Sequence, residues 1–113
     1  MMKKVLLFGC IVFLAACASS KLATPTQKDL DRVHAKYPNY TLADLTQGKT
    51  LYTQHCGQCH KLEKPAAKTE EEWGSIVPAM VKKVNKKEGK VALDATGQDL
   101  ILKYLVTMRN TGK

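Results

Sequence analysis

Cys56-Gly57-Gln58-Cys59-His60 is the stretch whose chemistry dictates what the rest of the chain must build. Cys56 and Cys59 are three positions apart and Cys56 and His60 four, so on a helical turn all three side chains leave the same face. C-x-x-C-H is the attachment signature of a c-type haem: the cysteines make thioether links to the porphyrin, and the histidine gives the iron its proximal imidazole. The expected cofactor is one covalent haem c on Cys56, Cys59 and His60. Other chemistries use C-x-x-C. A thioredoxin-like pair needs a βαβ setting, and no alternating strand pattern is present. A zinc site needs four ligands, and only Cys56, Cys59 and His60 cluster.

Helical signals lie on both sides of the motif. Upstream, Thr41 with Asp44 has the form of a capping box, opening a helix that carries Leu42, Leu45, Leu51 and Tyr52 into the motif. Gly48 lies between Leu45 and Tyr52 on one face. A glycine there costs about 1 kcal/mol relative to alanine, which a close helix crossing would explain; a tolerated glycine without a role is the alternative. Farther upstream, Thr26 with Asp29 opens a short helix with Leu30, Val33 and Tyr37 on one side, ended by Pro38.

Downstream, residues 62–68 form a loop containing Pro65. Thr69-Glu70-Glu71-Glu72 caps a third helix with the stripe Trp73, Ile76, Val77, Met80, Val81 and Val84, which Pro78 should kink or divide. A lysine-rich connection closes at Gly89. Thr96 with Asp99 opens a last helix with the stripe Leu100, Ile101, Tyr104, Leu105 and Met108, ended by Asn110 and Gly112. No segment reads as a strand, and no repeat or second domain is visible. The fold class predicted is all-α, with about four helices around the haem.

Gly48-Lys49-Thr50-Leu51-Tyr52 leading into the C-x-x-C-H motif, with Tyr104-Leu105 in a terminal helix, resembles the class I cytochromes c. The resemblance covers roughly residues 41–109. It implies that the first and last helices of that fold cross near the haem, with Gly48 and Tyr52 facing Tyr104 and Leu105. It also implies a distal methionine ahead of the final helix, a position Met80 matches. The family's common distal Met-Pro loop is absent, and Met80 sits instead in Trp73-x-x-Ile76-Val77-x-x-Met80. Met108 and His34 remain alternatives for the sixth ligand. His55 adjoins the proximal cysteine and is poorly placed to reach the distal side. By the same resemblance, the carbonyl of Pro65 is the candidate acceptor for the second ring nitrogen of His60.

The N-terminus reads as export machinery: Lys3 and Lys4 precede an apolar run from Val5 to Ala18, shorter than a comfortable membrane span. Leu14-Ala15-Ala16-Cys17 resembles a bacterial lipobox, which implies cleavage before Cys17 and acylation of that cysteine. Cleavage after Ala18 by the A-x-A rule is the alternative. The expected organisation is a signal peptide over 1–16, a lipidated tether over 17–26 and a cytochrome c domain over 27–113 with an extra short N-terminal helix. Of the four cysteines, Cys10 leaves with the signal, Cys17 takes lipid and Cys56 and Cys59 take haem, so no structural disulfide is expected.

The net charge of +8, from 18 Lys+Arg against 10 Asp+Glu, favours acidic partners. Lys82, Lys83, Lys86, Lys87 and Lys90 form the densest cluster, either a solvated face or a docking face for an acidic redox partner such as an oxidase, reductase or dehydrogenase. No nucleic-acid partner is expected. These readings converge on an exported, lipid-anchored electron carrier at the periplasmic side of a bacterial membrane, with no enzymatic activity. A cytochrome subunit of a larger respiratory complex and a ligand-sensing haem protein with a displaceable sixth ligand are the alternatives.

Overall fold

The computed structural model describes residues 22–57 and 61–110. Among them are four α-helices and no strand, so the chain is all-α there, as its periodicity predicts. The helices are α1 (Gln27–Arg32), α2 (Leu42–Leu51), α3 (Glu70–Glu88) and α4 (Ala95–Met108). None is long and apolar enough to cross a membrane. The export signal, Cys10 and Cys17 lie outside the described residues, as do Cys59, His60 and Gly112.

Three helix starts carry the reciprocal hydrogen bonds that their sequences announce. Thr26, Thr41 and Thr69 each accept from a backbone N–H three residues on, and Asp29, Asp44 and Glu72 each accept from the backbone of the capping threonine. Three elements depart from expectation. α1 stops at Arg32 rather than running to Pro38: Arg32 turns back to pair with Asp29 and donates to the Thr107 carbonyl at 3.4 Å. The chain then folds so that Tyr37 and Tyr40 meet edge to face at 5.4 Å, beneath the ammonium of Lys103. α4 starts two residues before Thr96 would place it, because Asp94 caps it by accepting from the Gly97 N–H at 2.9 Å. α3 continues through Pro78 as one helix. The carbonyl that Pro78 deprives of its partner belongs to Gly74, which lies on the exposed side where water can replace the lost bond. The lysines expected in a connection therefore sit on the last turns of α3, which ends at Gly89 in a left-handed conformation with φ of 74°.

The core forms where α4 crosses α2 and α3. Leu45 and Tyr52 from α2 and its continuation, Trp73, Val77 and Val81 from α3, and Ile101, Tyr104, Leu105 and Met108 from α4 are all buried together. α2 and α4 approach each other closely at Gly48. A β-carbon there would overlap the Leu100 carbonyl oxygen and stand 2.8 Å from Cβ of Tyr104. The glycine thus answers to a close crossing.

The connection from α3 to α4 is held by one side chain that the sequence did not single out. Asn85 accepts from the Ala92 and Leu93 N–H groups at 2.8 Å each, and its amide donates to the Leu93 carbonyl at 3.0 Å. Removing it takes the side-chain partner from the Leu93 N–H and carbonyl in a half-buried loop, while the Ala92 N–H keeps the Lys90 carbonyl at 2.9 Å. Asn85→Ala is expected to cost about 1–3 kcal/mol. Hydrogen exchange at the Ala92 and Leu93 amides checks this, and it should accelerate there before it does so in α2.

Candidate functional site

α2 does not end at Leu51 but passes without a break into a π-helical turn over Tyr52–Cys56. Such turns insert extra backbone into a helix and recur at functional sites. Here the turn buries both Tyr52 and Cys56, leaving Cys56 only 6% exposed. Its thiol is free, and burial pushes its pKa up to about 11.

Cys56 opens onto a crevice of about 160 Å³ whose apolar lining is Tyr52, Leu62, Trp73, Ile76 and Met80. Lys61, Glu63 and Lys68 complete it. Two aromatic side chains fix its far wall, residues 61–68, through their polar ends. The Tyr52 hydroxyl donates to the Glu63 carbonyl at 2.7 Å and accepts from the Glu63 N–H at 3.1 Å. Burial pushes the Tyr52 phenol up to about 12, only partly offset by the bond to Glu63. Trp73 donates its indole N–H to the Pro65 carbonyl at 2.9 Å, fixing the short 3₁₀ turn Pro65–Ala67. Tyr52 stands nearly perpendicular to Trp73, with centroids 6.2 Å apart, and lies tilted against Tyr104 at 5.8 Å. An apolar body with one polar contact is the usual form of a buried tyrosine or tryptophan. None of these three hydrogen bonds was legible in advance.

The crevice brings together two of the sequence-predicted residues, Cys56 and Met80, the latter half-buried on the second turn of the α3 stripe after Trp73. Met108 is almost fully buried and lines a different cavity, of about 190 Å³, with Leu22, Lys64, Pro65 and Arg109. His34 is exposed just after α1. His55 is half-buried, and its Nδ1 has no hydrogen-bond partner among the described residues. Neither histidine lines the crevice. The Pro65 carbonyl, the expected partner of His60, already accepts from Trp73; its second lone pair leaves room for another donor. The placement of Cys59, His60 and Cys17 lies outside the described residues. Among those described, no group of three or more His, Cys, Asp or Glu side chains could hold a metal ion.

On the outer side of α3, Ser75, Pro78, Ala79, Lys82, Lys83 and Lys86 line an open groove of about 580 Å³. Lys82, Lys83, Lys86 and Lys90 are exposed and make no ion pair with another described residue. Comparison of the chain with protein-family models, with curated proteins and with solved structures finds no match.

Proposed function

We propose that the chain is a membrane-tethered c-type cytochrome with one haem, carrying single electrons between redox proteins. The observation that carries this reading is that Cys56, the first cysteine of C-x-x-C-H, opens from burial onto an apolar crevice shared with Met80. The residues fit the group. A porphyrin face needs apolar neighbours, which Leu62, Trp73 and Ile76 offer, and the thioether of Met80 is a soft donor suited to iron.

In this reading Cys56 and Cys59 would hold the haem, and His60 and Met80 would bind its iron. The bound group supplies a one-electron iron couple, which methionine ligation shifts to higher potential. The remaining work belongs to the chain. Tyr52 and Trp73 clamp residues 61–68 beside the crevice, and Leu62, Ile76 and Trp73 keep water from it. The exposed lysines after Met80 attract an acidic redox partner, because electron-transfer encounters use small interfaces and depend on steering. No residue is assigned a catalytic role. Cys17 would carry the lipid that keeps this work at a bacterial membrane, on the periplasmic side.

Expression with a c-type haem maturation system tests the ligand set. The oxidised protein should show a sulfur-to-iron absorption band that Met80→Ala abolishes and Met108→Ala retains. Reduced Met80→Ala should bind carbon monoxide, whereas the parent should not at ordinary rates. A band lost in Met108→Ala, or rapid carbon monoxide binding by the parent, would contradict the assignment.

A further inference from the structure

The outer face of α3 is divided by charge, and the helix does not neutralise that division itself. Positions 71, 75, 78, 82 and 86 recur in steps of three and four, opposite the buried Trp73, Val77 and Val81, and all five are exposed. Glu71 and Glu72 begin this face, Ser75, Pro78 and Ala79 occupy its middle, and Lys82, Lys83 and Lys86 follow. Acids in the first turn and Lys86 in the last suit the helix dipole, but its effect fades within one turn and does not account for Lys82 and Lys83. None of these three lysines has an acid three or four positions away along the helix. Neither they nor Glu71 make an ion pair with another described residue. Glu72 uses one carboxylate oxygen to cap Thr69 and keeps the other.

Read from either end, the face has the same layout with the signs exchanged. Glu72 and Glu71 lie six and seven residues before Pro78, and Lys82, Lys83 and Lys86 lie four, five and eight after it. Two copies of α3 laid antiparallel across a two-fold axis near Pro78 would set the glutamates of each among the lysines of the other, as a self-complementary interface requires. Ser75, Pro78 and Ala79 floor an open groove of about 580 Å³ rimmed by the three lysines, a concave surface that a second helix can enter.

We propose that this face pairs with its counterpart on a second copy of the chain, Glu71 and Glu72 of each meeting Lys82, Lys83 and Lys86 of the other. The face runs about 22 Å from Glu71 to Lys86 and is one helix wide, on the order of 250 Å² per copy. A stable complex buries about 800 Å² per partner, so the pair is transient. Three lysines against two glutamates per copy weaken it further. The crevice residues Trp73, Ile76 and Met80 lie on the other side of α3, so pairing leaves both crevices open and does not depend on what they hold. It does cover the lysines offered to an acidic redox partner, and that partner competes with the second copy.

Zero-length carbodiimide coupling of the full-length protein at about 1 mM, where weak encounters are populated, tests this by peptide mass spectrometry. Glu72 and Lys82 of one chain are ten residues and about 15 Å apart along a helix, so a bond between them reports two copies. Bonds from Glu71 or Glu72 to Lys82, Lys83 or Lys86 are expected, with yields several-fold lower in about 0.5 M salt. Glu71→Lys, and Lys82→Glu combined with Lys83→Glu, should each lower the yield several-fold, and mixing the two variants should restore it. The altered positions are all exposed, so the fold is not the variable. Absence of these bonds, or yields indifferent to charge reversal, overturns the pairing. So does a face that fails to couple but is shielded from acetylation by phosphatidylglycerol vesicles, a result that would assign the lysines to a bilayer.

Discussion

Trp73→Ala is expected to lower the stability of the protein by about 3–5 kcal/mol, the range for deleting a large buried aromatic. Trp73 is 1% exposed and joins three parts of the fold: the α3 stripe, the Tyr52 ring and the Pro65 carbonyl. Its loss opens a cavity beside the crevice and leaves that carbonyl without its indole donor. Trp73→Phe separates the two contributions, since it keeps most of the apolar volume and loses only the hydrogen bond, at a cost of about 1–3 kcal/mol. Denaturant unfolding of the three proteins checks the order. If Trp73→Ala unfolds at nearly the parent midpoint, the residue is not the keystone of this wall.

Gly48→Ala is the other substitution with a large effect, and its sign opposes helix propensity. In an open helix the change would stabilise by up to about 1 kcal/mol. At Gly48 the new methyl would meet the backbone oxygen of Leu100 and Cβ of Tyr104, and neither is the flexible tip of a side chain. α2 and α4 must move apart, and overpacking of this kind costs about 1–3 kcal/mol. Gly74 is the control within the same molecule, because a β-carbon there meets nothing within 4 Å. Gly74→Ala should stabilise by about 0.5–1 kcal/mol. Opposite signs at the two glycines identify the crossing; equal signs would remove it.

The all-α class and the core stripes were legible because they rest on local periodicity. Trp73, Val77 and Val81, like Ile101, Tyr104 and Leu105, are buried at the positions their spacing assigns. Helix ends were legible where one capping residue stood alone, as at Thr41 and Thr69. They were not where two competed: Asp94 and Thr96 both suit the start of α4, and tertiary packing decides, with Leu93 buried just before Asp94. The early end of α1 depends on Arg32 reaching Thr107, a partner 75 positions away. The same limit hid the bonds from Tyr52 to Glu63 and from Asn85 to the loop, since a polar tip shows nothing of its partner in sequence. For the site, spacing pointed to the cysteines and histidine. Met80 rested on a family resemblance, and only the folded chain sets it in one crevice with Cys56, apart from Met108.

The most direct test of the central claim is the intact mass of the peptide spanning residues 50–61, taken from protein made with a haem maturation system. The account predicts one haem added to that peptide, stable to denaturation and thiol reductant, with neither Cys56 nor Cys59 open to alkylation. Two freely alkylated thiols, or a disulfide between them, would contradict it.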